Sequence, residues 1–226
     1  MKKLLVSLLA ACMVFAVAGT ASAWTSNDLT LVIYNEDGNE MGFNLGTVFG
    51  DGAMDLGASA TLLEAGSFNL ADVAAGDGPI NVGLFAASEG AAGMGGFLAG
   101  SADGVVDLNV TGAMGFIALA NDVANAYESG NPITAGILGS YDQKLNLNSG
   151  APGTYGGAFY ATEGILVEDG FVDMTLSVYN WSDLTETAVV RVFADGSVVL
   201  NPVPVPGALI LMGSGLLGLA GIRRKK

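Results

Sequence analysis

Six Asp-Gly pairs punctuate the chain, at 37, 51, 77, 103, 169 and 195. Glycine takes the positive φ of a tight reversal without steric cost, and aspartate accepts hydrogen bonds from the turn it opens. Where such a pair separates two β-prone runs, an antiparallel hairpin is expected. Two places meet that condition: runs 29–34 and 41–45 flank Asp37-Gly38, and runs 187–193 and 197–200 flank Asp195-Gly196. Further strands are expected over 80–85, 105–110, 115–119, 157–160, 165–167 and 172–179. A short helix is expected over 121–128, with Asn121 as cap and Val123 and Tyr127 on one face. Many short strands between turn signals predict an all-β fold, an antiparallel β-sandwich-like domain.

Charge narrows the partners. Lys2, Lys3, Arg223, Arg224, Lys225 and Lys226 lie at the two ends, so the body keeps only Lys144 and Arg191. Two cations against 22 acidic residues give it a net charge of −20, more extreme than the −14 of the whole chain. Such a surface repels nucleic acid and anionic lipid head groups, and excludes both as ligands of the body. With 51% hydrophobic residues the chain is not of disordered composition.

Three of the Asp-Gly pairs extend to a second aspartate four residues on: Asp51 and Asp55, Asp103 and Asp107, Asp169 and Asp173. One reading is a turn feeding a strand, with the second aspartate facing solvent. The other is a worn hairpin repeat whose carboxylates gather at one rim and bind calcium. A single extended copy cannot chelate through both side chains. Its carboxylates would stand about 13 Å apart at ~3.3 Å per residue, whereas calcium needs six to eight oxygens within about 2.6 Å. A Ca2+ site therefore requires several turns to converge. No other cofactor is indicated.

The chain contains no histidine. That removes imidazole bases, Ser-His nucleophile pairs and the commonest zinc ligand. What remains is a carboxylate pair acting on a neutral sugar polymer, and 22 acids make every such pair equally nominable. The expectation is a non-enzymatic protein. Carbohydrate binding is a separate reading: Tyr179-Asn180-Trp181, with Tyr155 and Tyr160, could stack on sugar rings, or the same rings could be core.

The two ends read as addresses. Met1-Lys2-Lys3, an apolar run to Ala18 and the small-residue pair Ala21 and Ala23 form a secretory signal over 1–23, cut by signal peptidase before Trp24. Leu9-Ala10-Ala11-Cys12 also fits a lipoprotein cleavage pattern, though only eight residues separate it from Lys3 and the chain stays apolar beyond it. Cleavage after Ala23 leaves the exported body, 24–202, without cysteine or disulfides. At the other end, 205–222 is an uncharged run of 18 residues. As a helix it would extend about 27 Å, close to the hydrocarbon thickness of a bilayer. Pro206 suits its first turn, and Arg223, Arg224, Lys225 and Lys226 would hold its end in the cytoplasm.

Val203-Pro204-Val205-Pro206, the Gly213-Ser214-Gly215-Leu216-Leu217-Gly218-Leu219 core and the basic end resemble the PEP-CTERM sorting signal of Gram-negative bacteria. Val205 stands where the name-giving glutamate would be, as in the Val-Pro-x-Pro variant. The resemblance spans about 24 residues, 203–226, and implies a route. An exosortase-type enzyme would act at Pro204, Val205 and Pro206, remove the helix and basic tail, and deliver the body to the cell surface or matrix. It also implies an exopolysaccharide or biofilm setting with a structural or adhesive role. It assigns the body no activity.

Overall fold

The computed structural model describes residues 27–35, 38–74, 78–88, 96–108, 163–167, 170–180 and 183–203, with short pieces at 120, 122–123, 126–127, 133–134, 140–141 and 159–160. Twelve strands are seen among them: β1 (Asp28–Tyr34), β2 (Asn39–Thr47), β3 (Ala60–Leu63), β4 (Ile80–Ala87), β5 (Gly96–Ser101), β6 (Asp107–Leu108), β7 (Ile133–Thr134), β8 (Phe159–Tyr160), β9 (Gly164–Leu166), β10 (Phe171–Asn180), β11 (Asp183–Phe193) and β12 (Val198–Leu200). All pairings are antiparallel, as expected of an all-β fold. Ten strands form one sheet, ordered β3-β12-β11-β10-β5-β4-β1-β2-β7 with β9 added on β4, and β6 pairs with β8 apart from it. The sheet curls into a half-barrel, bringing β3 at one end against β2 near the other. Sandwich-like enclosure thus comes from one sheet folded over its own inner face.

That inner face is aliphatic. Leu29, Leu31 and Ile33 of β1 meet Val82, Leu84 and Ala86 of β4, Met174 and Leu176 of β10, and Val190, Val192, Val198 and Leu200 of β11 and β12. Burying one such side chain contributes about 1.5–3 kcal/mol, so this cluster is the main source of stability. The outer face divides in two. On β11 the alternation expected of a half-exposed strand is present from Ala188 onward. On β1 it is absent, because every residue from Asp28 to Tyr34 is buried. A second layer covers β1, β4 and β5 there. It includes Val106, Ala120, Val123, Tyr127 and Tyr141, packed on Val32, Tyr34, Phe85, Phe97 and Tyr179. Val123 and Tyr127 are both buried in this layer, as their helical spacing predicts.

The Asp-Gly pairs do different work at different places. Asp37-Gly38 and Asp195-Gly196 join ladder-paired strands, as expected of hairpins. Gly196 has φ +91°, and Asp195 Oδ1 accepts from Ser197 N at 2.9 Å and Ser197 Oγ at 2.6 Å. The other four do not close a hairpin between neighbours. β9 pairs with β4 and not with β10, so the turn at 170 feeds a strand. Asp103-Gly104 leads out of the large sheet towards β6. Asp51-Gly52 leads into a second turn at 56–58 instead of a strand.

Three strands escape the sequence pattern: β3, β5 and the two-residue β7. β3 is a short edge strand, and β5 reads Gly-Phe-Leu-Ala-Gly-Ser, with no β-branched residue. β5 lies between β4 and β10, almost wholly buried, with Phe97 and Leu98 in the core and no room for a side chain at Gly96 or Gly100. A Cβ at Gly100 would come within 2.9 Å of Leu84 Cβ, and one at Gly96 within 2.5 Å of Phe49 Cε1. The expected 105–110 strand is described only as β6, and the expected 115–119 strand lies outside the described residues.

Candidate functional site

Two places in the body concentrate polar chemistry. The first is buried. In register, Gly42, Val32 and Gly83 form one row across β2, β1 and β4, and Glu40, Tyr34 and Asn81 form the row two residues on. A Cβ at Gly42 would lie 2.3 Å from Tyr127 Cγ, and one at Gly83 2.5 Å from the Tyr141 hydroxyl. The glycines thus leave a trough in which the two tyrosines lie. Two carboxylates close it. Glu163, just before β9, accepts the Tyr34 hydroxyl on Oε2 and the Tyr141 hydroxyl on Oε1, each at 2.5 Å. Glu40 Oε1 accepts the Tyr127 hydroxyl at 2.7 Å and Tyr141 N at 2.7 Å. Tyr34 and Tyr141 also pack ring to ring, with centroids 5.5 Å apart. A buried carboxylate is tolerated when donors surround it, which is the arrangement here. The network ties the second layer to the sheet.

The second place is the surface where the folded body ends. β12 stops at Asn201, which takes φ +43°, a left-handed conformation that asparagine adopts more readily than most residues. Its side chain is fully used. The amide nitrogen donates to Leu56 O at 2.6 Å and Ala58 O at 3.1 Å, and Oδ1 accepts from Val189 N at 2.9 Å. Its backbone N–H donates to Val189 O at 2.6 Å. Asn201 therefore clamps the chain to β11 and to the 56–58 turn. Pro202 and Val203 then run along an open cleft of about 550 Å3 shared with Gly57, Ser59, Asp173 and Arg191.

Asp173 and Arg191 face each other across β10 and β11 in a two-pronged ion pair. Nε meets Oδ1 and Nη2 meets Oδ2, both at 2.7 Å. The hydrogen bonds that Arg191 donates to Asp173 hold the guanidinium pKa above its already high ordinary value. The same guanidinium lies 4.0 Å from the Phe171 ring centroid and 6.0 Å from that of Phe193. The two rings are 5.8 Å apart, and Phe171 is 48% exposed.

The aspartates named from the sequence take up separate places where they are described. Asp51 is exposed in its turn, and Asp55 Oδ1 accepts from Gly57 N at 2.9 Å. Asp103 is exposed, Asp107 sits in β6 opposite Tyr160, and Asp173 is engaged by Arg191. Asp169 lies outside the described residues. Among the described residues no three acidic side chains gather as metal ligands would. The proposed sugar platform is also redistributed. Tyr179 is buried and its hydroxyl donates to Val106 O, so that ring is core. Tyr155 and Trp181 lie outside the described residues.

Glu40, Glu163, Asn201 and the Phe171–Arg191 pair were not singled out by sequence reasoning. Asn201-Pro202 carried a usable signal, since Asn-Pro favours a turn. The others carried none, because their partners lie across strands distant in sequence.

Ala21, Ala23 and the sorting residues Pro204, Val205, Pro206, Arg223, Arg224, Lys225 and Lys226 lie outside the described residues, as does the expected span 205–222. Among the described residues no helix is long and apolar enough to cross a membrane. Comparison with known families matches residues 202–225 to the PEP-CTERM protein-sorting motif. No curated protein and no solved structure matches the chain. The motif is therefore present, and it begins at the residue after the Asn201 clamp.

Proposed function

We propose, from the PEP-CTERM motif at 202–225, that the chain is exported through the inner membrane of a Gram-negative cell and sorted by an exosortase-type enzyme. The body then serves as a structural or adhesive component of the cell surface or exopolysaccharide matrix. The observation that carries this reading is the junction. The last described strand, β12, ends at Leu200, Asn201 is clamped beside it, and the sorting motif is matched from the next residue on. A processing enzyme acting in the Pro204 to Pro206 region would release a body whose last strand is already clamped.

We read that body as non-catalytic. The two carboxylates that share a partner, Glu40 and Glu163, are buried and engaged by tyrosines, an arrangement suited to holding layers together. The signal over 1–23 and the span over 205–222 belong to the same proposal.

The test is the intact mass of the native protein, taken separately from membranes and from the extracellular fraction. The expected extracellular species starts at Trp24 and ends between Pro204 and Pro206. A species retaining Lys226 in both fractions would remove the processing reading and leave a single-span membrane protein.

A further inference from the structure

We infer that in the uncleaved precursor the rim around Asn201 lies against the lipid headgroups. Its Phe171, Phe193, Arg191 and Val203 are then the membrane-facing surface of the body. The inference rests on the reading of 205–222 as a membrane span. The first reason is reach. Asn201 is fixed by four hydrogen bonds to β11 and the 56–58 turn. From there to residue 205 is four peptide steps, at most about 14 Å of extended chain. The headgroup layer on one side of a bilayer takes up roughly 5–8 Å of that. The body therefore cannot stand off from the membrane, and the surface surrounding Asn201 must meet the interface.

The second reason is the chemistry of that surface. Val203 is 69% exposed, and Phe171 is half exposed beside Phe193. Arg191 is the only cation among the described residues, and it lies on these rings. An arginine with its stem on apolar surface and its head in the polar layer suits a membrane interface. Asp173 pairs with the guanidinium, so this ion pair brings no net charge to the rim. Among the described residues, Asp55 and Asp195 each accept a backbone N–H of their own turn. The body as a whole carries a charge of −20, which an anionic leaflet repels, so the surface whose one cation is already paired is the approach that costs least. Tether and charge thus select the same orientation.

The test uses the full chain, tail intact, in vesicles of phosphatidylethanolamine and phosphatidylglycerol. In a Cys12→Ser background, single cysteines replace Ser59, Phe171 or Leu184, and each carries an environment-sensitive fluorophore quenched by headgroup-labelled lipid. Ser59 and Phe171 belong to the rim. Leu184 is also exposed, but it lies seven residues from Arg191 along β11, about 23 Å at ~3.3 Å per residue. Quenching at 59 and 171 is expected to exceed that at 184 by about twofold or more, given the thin headgroup layer. Equal quenching at all three positions, in protein that survives an alkaline wash of the vesicles, would overturn the orientation and leave the span standing. Protein released by that wash would overturn the span and the inference with it. The Ser59 label keeps the test decisive if replacing Phe171 disturbs the ion pair.

Discussion

The two faces of the sheet are held by different physics. Inside the curl, aliphatic side chains from β1, β4, β10, β11 and β12 pack into one buried cluster. Outside, over β1, β4 and β5, tyrosines lie in a glycine trough and their hydroxyls converge on Glu40 and Glu163. The inner face tolerates any shape-matched hydrocarbon, because dispersion and burial are not directional. The outer face depends on donor and acceptor positions, so each member fixes its neighbours. The lesson is a division of labour: the inner core supplies stability, and the outer one specifies how the second layer sits.

That contrast can be broken first from the inside. Leu176→Ala should cost about 2–5 kcal/mol in denaturant unfolding, since a fully buried side chain leaves a cavity the curled sheet cannot fill. A loss below ~1 kcal/mol would mean the inner face is loosely packed and the comparison is misdrawn.

The outer face offers the sharper test. Glu163→Leu removes the acceptor of two buried hydroxyls, at a cost of about 1–3 kcal/mol for each one left unsatisfied. Adding Tyr34→Phe and Tyr141→Phe should recover most of that loss, because no polar group then remains stranded. If the triple variant is instead as unstable as the single one, Glu163 holds something other than these hydroxyls.

The smallest effect belongs at the surface hairpin. Ser197 donates from both its side chain and its backbone to Asp195, which holds that carboxyl below its ordinary value of 3.8. The sign follows from linkage: a lowered folded pKa stabilises above the ordinary value, and the contribution disappears as pH falls through the folded one. Asp195→Asn should therefore flatten the acid limb of the stability curve below about pH 4 and leave neutral pH nearly unchanged. An acid limb identical to that of the parent would assign acid sensitivity to the buried carboxylates instead.

Much of the fold was legible along the chain. β1, β2, β4 and β10 to β12 follow from apolar and β-branched runs, and two hairpins follow from Asp-Gly between such runs, because strand propensity and turn chemistry are local. β5 was illegible for the opposite reason. Its glycines and alanine are chosen by Leu84 and Phe49 across the sheet and carry no local signature. The aspartate repeat at 51, 103 and 169 could not be read from the sequence as a site, since a similar local string does not bring turns together in space.

The division for the site runs the same way. Sequence by itself carried the sorting motif, because such a motif is read as a linear string of prolines, apolar residues and cations. It also determined the acidity of the body and the lack of imidazole chemistry. Only the tertiary structure decided that the motif begins beside a clamped asparagine, that Asp173 belongs to Arg191, and that Tyr179 is core. Each of those facts is a pairing between strands, and pairing depends on the curl and register of a sheet that no single segment encodes.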